Sequence, residues 1–197
     1  FDAARATARQ PQLARGKRAR VVVVPGDRHR VAAEPDDVGG KGRRLVVFLG
    51  STIGNLTPPE ATAFLRNVAG LLAPHDRFLL GTDLVKDTGR LERAYNDATG
   101  VTAAFNRNIL SVTNRHLGAD FDPDRFEHLA FYNADEARIE MHLVARERHR
   151  VWIEAIDLAV DFEKGESILT EISCKYTRAT VEAMLKEGGL RLLRWET

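Results

Sequence analysis

The chain has 197 residues, 44% of them hydrophobic and 29% charged, with 15 Gly and 7 Pro, which excludes the disordered and fibrous classes and suffices for one ordinary buried core. No run approaches the ~18 apolar residues of a membrane span, and Phe1 to Gln10 lack the apolar centre of a signal peptide, so the chain reads as a cytoplasmic protein with no membrane partner. The formal net charge is +1, and the single cysteine, Cys174, allows neither an internal disulfide nor a zinc cage of its own.

Charge is uneven along the chain. Residues 1–50 carry 11 Lys/Arg against 5 Asp/Glu, and the remainder 18 against 23. A basic start is one mark of a nucleic-acid arm. No aromatic residue interleaves Arg15-Gly16-Lys17-Arg18 for base stacking, and the expectation is a solvated surface with no nucleic-acid partner. The chain also opens on Phe1-Asp2 without Met, as though inside a longer sequence.

Val21-Val22-Val23-Val24, stopped by Pro25-Gly26, reads as a strand buried on both faces. Residues 28–44 hold Pro35, Gly39-Gly40 and many charges, and read as loop or weak helix. Leu45-Val46-Val47-Phe48-Leu49 is a second buried strand, ending at Gly50-Ser51-Thr52. Thr57-Pro58-Pro59-Glu60 carries a capping box with Pro at the first helical position. Ala61, Phe64, Leu65, Val68, Leu71 and Leu72 follow at helical spacing up to Pro74. Phe78 to Asp83 is a third buried strand, and strand, helix, strand in this space predicts a βαβ unit with a parallel sheet.

Beyond Asp83 the pattern changes. Asp87 caps a helix with Leu91, Ala94 and Tyr95 on one stripe, and a second helix runs through Phe105, Ile109, Val112 and Leu117. Ile139, Met141, Leu143 and Ala145 alternate with polar residues, and Val151, Ile153 and Ala155 repeat this after Glu147-Arg148, which predicts an antiparallel hairpin. Thr177 to Glu187 returns to helix, with Val181, Met184 and Leu185 on its face and Gly188-Gly189 as its stop. Leu190 to Trp195 is a final strand candidate.

In an open parallel sheet, ligands bind beyond the carboxyl ends of the strands, which directs attention to Asp2, Asp27, Gly50 to Asn55, and Thr82-Asp83. Gly50-x-x-x-Gly54-Asn55 either brings backbone close to a ligand, with the Asn55 amide as donor and acceptor, or forms a turn in which Gly54 takes positive φ and Asn55 caps locally. No Lys-Ser/Thr pair follows, so it is not a phosphate loop. Asp2 and Asp27 are either nucleoside-binding carboxylates or turn formers. Glu171 and Ser173 stand two apart, so on an extended segment they share a face, where they either grip both nitrogens of a small heterocycle or line an exposed strand. The six histidines show no metal-ligand spacing and read as solvated. Cys174 has no neighbouring His, and no Gly-x-Ser-x-Gly occurs, so a covalent nucleophile is not expected.

Three long segments, FLGSTIGNLTPPEA (48–61), LLGTDLVKDTGRLERAYNDATGVTAAFNRNIL (79–110) and ILTEISCKY (168–176), resemble the histidine-specific Nα-methyltransferases, which make hercynine for ergothioneine biosynthesis. The likeness runs from about Arg43 to Trp195. It implies an α/β fold, a Rossmann-like class I methyltransferase sheet, incomplete in this chain, with an inserted α+β substrate domain. The implied boundaries are 1–84 for the partial core, 85–175 for the insertion and 176–197 for the return to the core. The implied cofactor is S-adenosyl-L-methionine and the partner is L-histidine as a small-molecule substrate, acted on by a monomer.

Carried over by residue, the resemblance gives Asn55 the α-amino and carboxylate end of histidine, Tyr95 the carboxylate, and Glu171 and Ser173 the imidazole nitrogens. Asp2 resembles the carboxylate that binds the cofactor's ribose, and Asp27 the one beside the adenine, with Arg28 standing where the family has Phe. The family's glycine-rich loop would precede Asp2 and its last strand would follow Thr197, so the resemblance implies the carboxy-terminal two thirds of such an enzyme. Two other readings are a non-catalytic amino-acid-binding or regulatory remnant of the fold, and a nucleic-acid binder acting through its basic first 44 residues.

Overall fold

The apolar run at 45–49 forms the middle strand of a parallel sheet in the computed structural model, which describes Arg20–Val23 and residues 43–197. β1 (Arg20–Val23) and β3 (Arg77–Leu80) flank β2 (Arg44–Phe48), and both pairings are parallel. Helix α1 (Pro58–Leu71) connects β2 to β3. It starts where the sequence predicts, because the Thr57 N–H and hydroxyl both donate to Glu60 Oε2, at 2.8 and 2.7 Å, and Pro58 has no N–H to satisfy. Its buried residues Ala61 and Leu65 share a core with α4 (Arg178–Glu187), where Val181, Met184 and Leu185 are buried. Ile53, Leu56, Cys174 and Tyr176 complete this core. Phe64 packs its ring on Phe48 with centroids 4.6 Å apart.

A second set of strands follows two helices. Asp87 caps α2 (Thr88–Tyr95) by accepting from Arg90 N at 2.9 Å, and α3 (Val101–Leu117) comes next. β4 (Phe126–Asn133), β5 (Arg138–Ala145) and β8 (Ser167–Cys174) make an antiparallel sheet with β5 in the middle, and β6 (His149–Ile153) pairs with β7 (Leu158–Phe162). Phe126, Phe162, Leu143, Val151 and Leu110 pack into a core of their own. Among the described residues, no helix is long and apolar enough to cross a membrane.

Several expectations are corrected. The hairpin expected over 138–160 does not exist as such: β5 pairs with β4 and β8, while β6 leaves to pair with β7. Its inward residues His149, Val151 and Ile153 close over the Phe126 and Phe162 rings instead of extending the sheet. Leu190 to Trp195 forms no strand; it runs as irregular chain whose Leu190, Leu192 and Trp195 pack against the first core. β3 is not buried on both faces, since Leu79 is 49% exposed. The helix expected through Phe105, Ile109, Val112 and Leu117 is present as α3, with these residues turned outward. Phe105 is 65% exposed, and Ile109, Val112 and Leu117 are exposed too, while Asn106 and Leu110 face inward. The strand-end Asp2 and Asp27 and the loop or weak helix of 28–42 lie outside the described residues.

The histidines are not uniformly solvated. His149 is buried, stacked on Phe162 and edge-on to Phe126. His128 sits between the Asn106 amide nitrogen and the Tyr95 carbonyl, 2.9 Å from each. Because an amide nitrogen only donates, Nδ1 of His128 accepts and Nε2 carries the proton that goes to Tyr95.

Asp76 anchors the start of the parallel sheet. Its carboxylate accepts from Arg44 N, Arg44 Nε and Ala73 N at 2.7, 2.7 and 2.8 Å, fixing the entry of β2 to the turn before β3. Burial alone would raise the Asp76 carboxyl, but these bonds and the Arg44 charge hold it below its usual value. Asp76→Ala should therefore cost about 2–4 kcal/mol in urea unfolding at pH 7, because it strands the half-buried Arg44. A folded-state value below the unfolded one of about 4 gives a contribution that is complete above pH ~4 and fades as pH falls through the folded value. The gap between wild type and variant should accordingly shrink when the unfolding is repeated near pH 3.

Candidate functional site

The carboxyl ends of β2 and β3 open into a cavity of about 520 Å³, within the range usual for small-molecule sites. Gly50, Ser51 and Asn55 from the segment after β2, and Gly81, Thr82 and Asp83 after β3, form one side of it. Tyr95 from the end of α2 and Glu171, Ser173 and Lys175 from β8 and its extension form the other. All four substrate-side residues expected from the sequence, Asn55, Tyr95, Glu171 and Ser173, thus border one cavity.

The segment after β2 turns sharply. Gly50 and Ser51 both have positive φ, 77° and 56°, and a 3-10 turn follows over Thr52–Asn55. Gly54 is not the positive-φ residue of this turn, contrary to one of the two expectations for it. Its requirement is proximity: a Cβ there would lie 2.9 Å from the carbonyl oxygen and 3.3 Å from the nitrogen of Cys174. The missing side chain lets the loop cross β8 backbone against backbone. Around that crossing the Cys174 thiol donates to Leu56 O at 3.6 Å and the Tyr176 hydroxyl to Ile53 O at 3.3 Å. Burial pushes the Cys174 thiol up, which suits a packed side chain and not a nucleophile.

β8 reaches the cavity through a bulge. Its register to β5 slips between Met141 and His142, leaving Thr170 as the extra residue. The Thr170 hydroxyl contacts both Met141 O, at 2.9 Å, and Asn106 Oδ1, at 2.6 Å. Bulges re-aim the side chains beside them, and here Glu171 and Ser173 follow directly, both turned to the cavity. Tyr95 is fixed from behind by the bond from His128 to its carbonyl. The neighbouring Asn96 side chain donates to Glu92 O and Ala130 O, each at 2.9 Å.

Lys175 is the residue whose role the sequence did not reveal. It is 3% exposed, and its ammonium donates to Ser173 Oγ at 2.7 Å and Tyr95 OH at 3.0 Å, with Asp83 Oδ2 at 3.2 Å. It also sits 5.0 Å from the centroid of the Tyr95 ring. The Tyr95 hydroxyl in turn donates to Ser173 Oγ at 2.9 Å. Asp83 is positioned by its N–H, which donates to Ser51 Oγ at 2.8 Å. Burial alone would raise its carboxyl, but hydrogen bonding from Lys86 and the charge and hydrogen bond of Lys175 hold it below the usual value. The available signal was parity: Glu171, Ser173 and Lys175 share one face of an extended segment.

Two side chains stand apart from this network. The Asn55 amide and the Glu171 carboxylate make no hydrogen bond or ion pair among the described residues. A half-buried carboxylate with open acceptor positions is a receptor for an N–H donor, and an open amide beside it offers both a donor and an acceptor. The cavity therefore presents an unpaired acceptor and an unpaired amide alongside the hydroxyls of Ser51, Thr52, Thr82, Tyr95 and Ser173, a set suited to a small polar molecule with several nitrogens.

Residues 12–197 match the family model described as histidine-specific methyltransferase, SAM-dependent. A histidine N-alpha-methyltransferase from Mycolicibacterium smegmatis is 63% identical over 156 residues, covering 79% of this chain and 49% of that protein. One from Mycobacterium tuberculosis is 58% identical over the same extent, with the same coverage. Ergothioneine biosynthesis protein 1 of Neurospora crassa is 30% identical over 139 residues, 64% of this chain and 16% of its own length. The chain spans about half the length of the two mycobacterial relatives.

Two glycines separate crossing from ordinary helix. Gly54→Ala must push β8 away and should destabilise by about 1–3 kcal/mol. Gly70→Ala on α1, where an added Cβ meets nothing within 4 Å, should stabilise by about 0.5–1 kcal/mol. Thermal unfolding of the two variants should move the midpoint in opposite directions.

Proposed function

Because the chain belongs to the family of histidine-specific, S-adenosylmethionine-dependent methyltransferases, we propose that the protein methylates the α-amino group of L-histidine to Nα,Nα,Nα-trimethylhistidine, hercynine, for ergothioneine biosynthesis. The observation that carries this reading is the convergence of the unpaired Glu171 carboxylate, the Ser173 hydroxyl and the unpaired Asn55 amide on one cavity at the strand ends. In the same reading β1 to β3 belong to a Rossmann-like sheet, residues 85–175 form an inserted substrate domain and 176–197 return to the core. The enzyme works as a cytoplasmic monomer.

On the cofactor side, Gly50, Ser51, Gly81 and Thr82 line the cavity floor with backbone and small side chains, where a nucleotide-like ligand of a parallel sheet binds. These residues fit S-adenosyl-L-methionine. Asp2 and Asp27, which the resemblance gives to the ribose and the adenine, lie outside the described residues. When bound, the cofactor supplies a sulfonium methyl group, an electrophile open to in-line displacement.

The chain's own residues handle the acceptor. An amine accepts a methyl group only through a free lone pair. Neutral Asn55 orients the amine without favouring its ammonium form, as a carboxylate at that position would. Tyr95 takes the substrate carboxylate, Glu171 accepts from one imidazole N–H, and Ser173 serves the other ring nitrogen. Fixing the substrate at both ends supplies the alignment that a displacement needs. An amino acid without the ring would leave the Glu171 carboxylate desolvated and unpaired, which is the basis for selecting histidine.

Calorimetry on the complete polypeptide tests the assignment. L-Histidine should bind, and S-adenosylmethionine with histidine should give trimethylated product by mass spectrometry. Glu171→Ala should weaken histidine binding by about 10–100-fold, the range of a charge-assisted hydrogen bond, while leaving the binding of alanine unchanged. No heat with histidine, or equal losses for the two amino acids, would refute the reading.

A further inference from the structure

We infer that Lys175 is a positioning residue that fixes the donor polarity of the substrate pocket: its buried ammonium fills a lone pair on both Tyr95 and Ser173, so that both hydroxyl protons are available to the ligand. The inference rests on the proposed binding of histidine in this cavity.

An ammonium has three N–H groups, and those of Lys175 are committed to Asp83 Oδ2, Tyr95 OH and Ser173 Oγ. No donor is left over on the lysine, and its side chain is fully buried. Tyr95 and Ser173 bring one proton each, and they are 2.9 Å apart. The phenol is the more acidic of the two hydroxyls and donates to the serine. Ser173 Oγ then accepts twice, from Lys175 and from Tyr95, and its own proton has only the cavity to face.

Binding changes one bond in this triangle. When a substrate carboxylate takes the Tyr95 proton, Ser173 loses that donor but keeps Lys175, and Tyr95 keeps Lys175 as well. Neither hydroxyl oxygen is left bare, so turning the proton outward costs little. Without the ammonium, each hydroxyl could satisfy itself on the other or accept from the ligand, and the pocket would have no fixed polarity. Among the described residues, the charged groups around the triangle are Asp83, Lys86 and Glu171, and Asp83 has a second cationic partner in Lys86 besides Lys175.

A donating Ser173 opposite an accepting Glu171 is complementary to a neutral imidazole, which has one N–H and one bare nitrogen. It is not complementary to imidazolium, whose two N–H groups would set donor against donor at Ser173. Lys175 thereby extends the recognition of histidine to its protonation state, although it need not touch the substrate.

The test is a double-mutant cycle on the complete polypeptide, read by calorimetry with L-histidine. Lys175→Met should weaken histidine binding at least tenfold in the wild-type background. Added to the Tyr95→Phe/Ser173→Ala variant, it should change binding less than twofold, with an unaltered melting midpoint as the control for folding. Equal losses in the two backgrounds would overturn the inference. A second measurement needs no variant: nitrogen NMR of ring-labelled L-histidine bound to the wild type at pH 5.5, where the free ring is mostly protonated. One protonated and one bare nitrogen are expected in the complex, and two protonated nitrogens would overturn the inference even if Lys175→Met fails to fold. Absence of any histidine binding by the wild type would instead refute the proposed function.

Discussion

The cavity exists because two backbones cross at van der Waals distance. The loop after β2 passes over β8 at Gly54, with Cys174 directly beneath. Beside the crossing, Tyr176 N donates to Asp83 O at 2.9 Å and Val85 N to Tyr176 O at 3.0 Å, tying the end of β3 to the chain that leaves β8. The parallel strand ends and the last antiparallel strand are thus joined by main-chain contacts that no side-chain rearrangement can lengthen. Asn55 and Asp83 on one side, Glu171, Ser173 and Lys175 on the other, inherit their separation from that joint. Binding geometry in this protein is a property of backbone packing first and of side-chain choice second.

The polar shell behind the cavity follows the same logic. Asn106 on α3 donates to His142 O at 3.0 Å and to His128, and accepts from Thr170. His128 then holds the carbonyl of Tyr95. One buried amide therefore connects the bulge that aims Glu171 with the helix end that carries Tyr95. Buried polar networks of this kind fix a unique arrangement when every member is satisfied, and each of these groups has its partner.

Much of the fold was legible where local chemistry decides. Thr57-Pro58-Pro59-Glu60 and Asp87 mark helix starts through hydrogen bonds made within one turn, and the apolar runs at 21–23 and 45–48 form parallel strands. Legibility failed where a choice among distant partners decides. Alternation over 138–153 is the same whether β5 pairs with β6 or with β4 and β8, and only the aromatic core at Phe126 and Phe162 settles it. On α3 the apolar spacing marks the helix but not its inward face, because the inward positions include Asn106, a polar residue that packs where His128 and Thr170 meet it. At the site, residue types and spacing drew attention to Asn55, Glu171 and Ser173, and the resemblance added Tyr95. Lys175 remained undistinguished because a lysine after a strand ordinarily reads as solvated, and its burial depends on Asp83 from a segment 92 positions earlier.

Parity along residues 171–176 has one more consequence. Glu171, Ser173 and Lys175 face the cavity, while Ile172, Cys174 and Tyr176 belong to or pack against the core shared with α1 and α4. Recognition and packing are thus interleaved within six residues, each on its own face. Substitution at the odd positions can alter what is bound without disturbing the core, which leaves the segment free to diversify in chemistry. Its length has no such freedom, because a single inserted or deleted residue would exchange the two faces, sending a tyrosine and a thiol into the cavity and a lysine into the hydrophobic interior. Evolution along this strand is therefore expected to proceed by replacement alone.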